Sequence, residues 1–292
     1  METIEVPKDQ SATLRRIATG SKGPQVGLFN GLKSIAVTSG KGGVGKTSLV
    51  ANLAFVFSEK GLRVLVLDGD VGLANIDVLL GLSPKQTIKD FLDGNCSLKE
   101  ILIEGPKGMH ILPAGSGVLE LTNLSSEQRM SLISEINALR DEHDLLLIDT
   151  AAGVSSNVLN FNAIAEEVLI AVTPEPTSIT DAYALIKLMS MKFRRKRFLV
   201  VVNEARSLRE AHQVFQGLNM VVERFLHFSL TELGYLPYDS AVGMAVKSQQ
   251  AFVERFPEAR VSKCLRDVAD KLCKLSTRDE ALGEVNLFGP YA

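Results

Sequence analysis

The run Ser34-Ile35-Ala36-Val37-Thr38-Ser39-Gly40-Lys41-Gly42-Gly43-Val44-Gly45-Lys46-Thr47-Ser48 decides the fold. It opens as a short apolar strand, and residues 40–47 then satisfy G-x-x-x-x-G-K-[S/T] just before a segment of helical character. Glycines let the backbone curl so that successive N–H groups point inward at the β- and γ-phosphates of a nucleotide, and the helix that follows adds the positive end of its dipole. In such a loop Lys46 brings a point charge to the phosphates and the Thr47 hydroxyl is a ligand for Mg2+. Gly40, Lys41, Gly42, Gly43, Val44, Gly45 and Ser48 complete the nucleotide-contacting set. The alternative, a glycine-rich turn that only starts a helix, accounts poorly for the full match in its strand-then-helix setting.

Outward from the loop, β-branched or Leu-rich runs alternate with helix-length segments. Strands are expected at 35–38, 64–68, 110–113, 145–149, 168–173, 198–203 and 233–237. Most are near-continuous apolar runs, as strands covered on both faces must be. Helices are expected around 45–60, 125–142, 177–191 and 207–226, with a last pair near 240–275. The alternation predicts an α/β fold, a doubly wound and mostly parallel sheet flanked by helices. The connectors are too short for a second core, so the chain divides into an arm and linker (1–33), one phosphate-loop domain (34–276) and a flexible or weakly amphipathic tail (277–292).

Composition agrees with that outline. In 292 residues, 46% are hydrophobic and 23% charged, which excludes a disordered chain and supplies one sizeable core. The net charge of -2 gives no global reason to expect nucleic acid or an acidic membrane. Cys96, Cys264 and Cys273 form no C-x-x-C pair, so a disulfide framework is not expected and a reducing cytosol fits. The start is acidic and broken by Pro7, unlike a signal peptide, and no apolar run is long enough to span a membrane.

Two strand ends carry carboxylates. One is Asp68-Gly69-Asp70; the other, Leu145-Leu146-Leu147-Ile148-Asp149-Thr150-Ala151-Ala152-Gly153, is a Walker-B-like run whose Asp149 can hold Mg2+ directly or through water. Carboxylates at the C-terminal edge of parallel strands sit where a doubly wound sheet binds its ligand. An N-cap or turn role is the competing reading for Asp68 and Asp70. Base choice is also legible: Asn203-Glu204-Ala205-Arg206 lacks the lysine and aspartate of the guanine motif N-K-x-D, so adenine is favoured.

Lys41, a second lysine inside the loop, is unusual. With it, the run Gly40-Lys41-Gly42-Gly43-Val44-Gly45-Lys46-Thr47 resembles, letter for letter, the loop of the MinD/ParA family of deviant Walker-A ATPases, and the resemblance extends over residues 34–275. It implies ATP with Mg2+, a homodimer formed on ATP binding, and slow, partner-regulated hydrolysis. Lys41 would reach across the dimer to the partner's ATP. Asp70 would be the switch I residue that orients the attacking water, and Gly153 a hinge that senses the γ-phosphate. Asn203 and Pro237 would flank the adenine. The cysteines of the iron-sulfur branches are missing; Cys264 and Cys273 instead fall in a helical pattern with Val261, Leu265, Val268 and Leu272.

Two further runs are similar to those of the flagellar FlhG/FleN/YlxH branch. One is 175–187; the other is Asp9-Gln10-Ser11-Ala12-Thr13-Leu14-Arg15, in which Asp9, Gln10, Leu14 and Arg15 match the peptide that stimulates the signal-recognition-type flagellar GTPase FlhF. That branch implies control of flagellar number and placement, restraint of the flagellar master transcription activator, and contact with cytoplasmic ring proteins of the motor. A division-site or partition ATPase, and a binding module that uses ATP only to hold a dimer, are the alternatives. The implied location is the cytoplasm, with transient visits to the inner membrane face or cell pole. The tail, poor in basic charge and broken late by Gly289-Pro290, gives a membrane helix weak support. The basic run Lys192, Arg194, Arg195, Lys196 and Arg197 reads as a solvated helix end, with a DNA or partner patch as the lesser reading.

Overall fold

The structure, a computed structural model, describes residues 33–70, 76–114 and 125–282. Its strands are β1 (Lys33–Thr38), β2 (Val64–Gly69), β3 (Ile103–Glu104), β4 (His110–Leu112), β5 (Leu145–Thr150), β6 (Glu167–Val172), β7 (Leu199–Ala205) and β8 (Thr231–Pro237). They form one sheet in the order β3-β4-β2-β5-β1-β6-β7-β8. All neighbours are parallel except β3 and β4. The helices are α1 (Lys46–Glu59), α2 (Ile76–Leu79), α3 (Ile88–Leu92), α4 (Ser126–Ala138), α5 (Ser156–Ile164), α6 (Pro176–Phe193), α7 (Leu208–Leu226), α8 (Ser240–Lys247), α9 (Phe252–Arg255) and α10 (Arg260–Leu282).

Strand alternation sorts the core into two layers. Ile35, Val37, Val64, Val66, Leu145 and Leu147 pack with α1, α9 and α10 on one face. Leu65, Leu67, Leu146 and Ile148 face the opposite way, toward Ile88, Leu132, Ile136 and Ile164. Farther along that second face, Val168, Ile170, Val200 and Val202 meet α5, α6 and α7. Because β2 and β5 are buried along their whole length, they carry no polar alternation. Helix α1 lies between the sheet and α9 and α10, which is why its sequence is apolar nearly all round.

The sheet agrees with the expected fold class, and the departures are local. The edge strand β3 and the helices α2, α3 and α5 were not among the expected elements. Helix α10 runs to Leu282, into the stretch read as tail. The basic run is not a uniformly solvated face. Arg194 ends α6 at φ 56, and the chain then turns Arg195 inward, where it is buried and donates to the carbonyl oxygens of Ala165 and, at 2.9 Å, Glu166. Arg197 pairs with Glu167 at 2.8 Å. These two arginines fasten the β6–β7 end of the sheet, and the buried Arg195 is withdrawn from the basic surface.

Candidate functional site

The connection that follows β1 runs past β5 to β2 on one side, whereas the one that follows its neighbour β6 runs to β7 on the other, so a crevice opens at the C-terminal ends of β1 and β6. The phosphate loop fills that crevice and is clamped from two distant points. A Cβ on Gly40 would stand 2.1 Å from the Asp181 carbonyl carbon, so only glycine lets the loop lie against the first turns of α6. Gly45 has φ 83, and a Cβ there would meet Asn203 Nδ2 at 2.5 Å. That same Nδ2 donates to the Val44 carbonyl oxygen at 2.8 Å, so Asn203, at the bulged end of β7, holds the loop.

The two loop lysines are sorted. Lys46 is buried and donates to Ser39 Oγ at 3.0 Å, while the Ser39 hydroxyl donates to the Lys41 carbonyl oxygen at 2.6 Å. Burial lowers the Lys46 pKa, opposed by the charges of Asp149 and Asp70. Lys41 instead reaches outward, pairing with the Glu175 carboxylate and donating to Thr177 Oγ1 at 3.2 Å at the start of α6. Glu175 and Thr177 were not singled out as site residues, since they stand 134 and 136 positions from Lys41.

Asp68 and Asp149 are register partners on β2 and β5. Asp68 Oδ1 accepts from the Asp70 backbone N–H at 3.1 Å, so Asp68 turns the chain and Asp70 stands half-exposed beyond it. Asp149 is buried, and apart from the neighbouring Thr47 hydroxyl its two carboxylate oxygens have no hydrogen-bond partner among the described residues. Burial pushes its pKa up to about 7, against the lowering influence of the neighbouring Thr47 hydroxyl and the Lys46 charge. A buried carboxylate with idle oxygens beside a hydroxyl is a hard-oxygen donor set that fits Mg2+. The Gly153 N–H, at φ 92, donates to the Ser39 carbonyl oxygen at 2.9 Å, tying the end of the Walker-B-like run to the start of the loop.

Beyond the loop lies a cleft of about 500 Å³ lined by Gly45, Ser48, Asn203, Glu204, Pro237 and Tyr238 among others. Asn203 and Pro237, expected to flank a base, thus share one cavity with the end of the phosphate loop. Asp9, Gln10, Leu14 and Arg15 lie outside the described residues, as do 71–75 directly after Asp70. Cys264 and Cys273 are partly buried against the core, and burial raises both thiol pKa values. Among the described residues there is no metal-binding group of three or more His, Cys, Asp or Glu, and no helix is long and apolar enough to cross a membrane.

Comparison with known proteins gives a consistent picture. A family model described as an AAA domain matches residues 32–199. The chain is 46% identical over 248 residues to the antiactivator FleN of Pseudomonas aeruginosa, covering 85% of this chain and 89% of that protein. It is 32% identical to the flagellum site-determining protein YlxH of Helicobacter pylori, covering 84% and 83%. The solved septum site-determining protein MinD of Pyrococcus horikoshii, complexed with Mg-ADP, superposes with a TM-score of 0.67 at 25% identity, covering 84% of this chain and 97% of that one.

Proposed function

Since the chain belongs to the MinD/ParA family of P-loop ATPases, in the branch of FleN and YlxH, we propose that it is an ATP hydrolase that dimerises on ATP and regulates flagellar number and placement. In this reading the N–H groups of residues 40–47 and the Lys46 ammonium bind the β- and γ-phosphates. Thr47 and Asp149 hold Mg2+, which when bound neutralises charge on the phosphate oxygens. Asp70 orients the attacking water, a positioning task suited to phosphoryl transfer, where little proton chemistry is required. Lys41 acts on the partner subunit's nucleotide, and Asn203 and Pro237 flank the adenine.

What supports the trans role of Lys41 most directly is its separation from its own cradle. Lys46 is buried inside the loop, whereas the Lys41 ammonium is held outside it by Glu175 and Thr177. Asp70→Ala is expected to remain an ATP-loaded dimer with little phosphate release, and Lys41→Ala to lose the dimer or its turnover. Hydrolysis by Asp70→Ala at the wild-type rate would refute the switch I assignment. Binding without turnover, with every partner supplied, would leave a dimerisation module rather than an enzyme.

The flagellar part of the proposal draws on the 46% identity to an antiactivator. Its partners would be the flagellar transcription activator, the FlhF GTPase engaged through Asp9, Gln10, Leu14 and Arg15, and cytoplasmic ring proteins. Deleting residues 1–20 should abolish GTPase stimulation and spare ATP binding.

A further inference from the structure

Glu204 follows the clamp residue Asn203 and lines the same cleft. It is a non-glycine residue at φ 59, placed where the β7–β8 register slips between Val202 and Ala205. A side chain held in that sparsely populated conformation marks a place where the surroundings fix an unfavourable backbone, as functional sites often do. Among the described residues its carboxylate makes no hydrogen bond and no ion pair. Asp239, the other carboxylate lining the cleft, differs: its Oδ1 accepts from the Ala241 N–H at 3.0 Å and its Oδ2 from the Val261 N–H at 3.4 Å. The charged neighbour of Glu204 is Glu175, of like sign and already engaged by Lys41. Glu204 is exposed at the mouth of the cleft, and partial desolvation there together with the like charge of Glu175 raises its pKa.

Asn203 gives one of its two amide hydrogens to the Val44 carbonyl, and its Oδ1 is available as an acceptor. Two consecutive residues with side-chain acceptors, Asn203 and Glu204, thus line the cleft. In the guanine motif N-K-x-D a lysine stands where Glu204 stands here, and Arg206, which cannot accept, replaces the aspartate that reads guanine. Adenine carries a two-donor amino group at position 6, whereas guanine and hypoxanthine carry an acceptor oxygen there.

We propose that Glu204 sets base choice, accepting the 6-amino hydrogens of adenine and repelling the 6-oxygen of guanine. The proposal rests on the reading of this cleft as the base site of an ATPase. It makes Glu204 a specificity residue with no part in the phosphate chemistry.

The test is equilibrium binding of ATP, GTP and ITP, each with Mg2+, to the full chain and to Glu204→Gln and Glu204→Gly. ITP replaces the 6-amino group by an oxygen, which also turns N1 from an acceptor into an N–H donor, and leaves position 2 as it is in ATP. Glycine welcomes a φ of 59, so Glu204→Gly keeps the turn if the glutamine variant folds poorly. The wild type should prefer ATP to both other nucleotides. Glu204→Gln, whose amide can donate to a 6-oxygen, should lower the ATP:ITP affinity ratio at least tenfold and strengthen ITP binding outright. Glu204→Gly should lower the ratio while tripolyphosphate binding stays at the wild-type value. A ratio within twofold of wild type in both variants, a parallel loss of ATP and ITP binding, or a wild-type preference for GTP over ITP would overturn the proposal. Failure of the wild type to bind ATP at all would instead remove the underlying ATPase reading.

Discussion

Replacing Gly40 with alanine tests whether α6 sets the shape of the phosphate loop. The added Cβ would lie 2.1 Å from the Asp181 carbonyl carbon, 2.2 Å from its oxygen and 2.6 Å from the Ala182 nitrogen, all backbone atoms that cannot swing aside. Reaching even a tight contact requires the loop and helix to part by roughly 1.3 Å, and overpacking of this kind costs about 1–3 kcal/mol. At about 2–4 °C per kcal/mol for a chain of this size, the melting temperature should fall by roughly 2–12 °C. The domain should therefore still fold. The larger effect is on geometry: a displacement near 1 Å at a reacting centre costs on the order of 100-fold in rate. Phosphate release at saturating ATP should drop by about that factor, with a melting curve recorded on the same sample to show that folded protein is being assayed. Turnover within twofold of wild type would refute the idea that α6 holds the loop in register.

Three other predictions concern charge. Asp149, pushed up to about 7 without metal, is protonated below that pH, and Mg2+ needs the carboxylate. Binding of Mg-nucleotide should therefore release a proton below pH 7, weaken up to about tenfold per unit as pH falls further, and level off above 7. Calorimetry in two buffers of different ionisation heat reads the proton, and pH-independent binding between 6 and 8 would contradict the reading. The His143 Nδ1–H donates to the Leu139 carbonyl oxygen at 3.0 Å, so its Nε2 must accept from His110 Nδ1–H at 2.8 Å, and burial lowers its pKa below 6.5. Its stabilising contribution is complete above pH 6.5 and is lost as pH falls toward the lowered value; an unfolding midpoint unchanged from pH 7 to 5 would count against this. Arg195→Met keeps most of the stem but strips donors from two carbonyls, and should cost about 2–4 kcal/mol in denaturant unfolding. A loss below about 0.5 kcal/mol, the scale of an ordinary surface change, would mean that Arg195 is as solvated as its neighbours in sequence suggest.

The parts of the molecule that are legible in its sequence are those whose cause is local. Leu145-Leu146-Leu147-Ile148 can be little but a strand buried on both faces, and the spacing of Gly40, Gly45, Lys46 and Thr47 describes a loop by itself. The expected strands accordingly fall within a residue or two of those found. What was missed depends on distant neighbours. Strand β3 is two residues long and exists only because β4 pairs with it antiparallel. Arg195 sits in a run of cations and has no local mark of burial; the carbonyls of Ala165 and Glu166, 30 and 29 positions earlier, draw it in. The outward tether of Lys41 and the second task of Asn203 are likewise absent from any short window. Glu204 carries no local signal of its left-handed backbone, because the bulge that imposes it comes from the pairing with β8.

The clamps on the phosphate loop also constrain when it takes shape during synthesis. Asn203 and the Val44 carbonyl it holds are 159 positions apart, and the helix backbone against Gly40 lies in the same later half of the chain. At about 5–20 residues per second, roughly 8–30 s separate translation of the loop from translation of its second clamp. During that interval the glycine-rich segment has lost nothing chemically, yet it lacks the walls that fix its curvature. Nucleotide capture would then mark the completion of β7 rather than of the loop itself. A fragment ending before residue 203 would carry the whole signature motif without the Asn203 clamp.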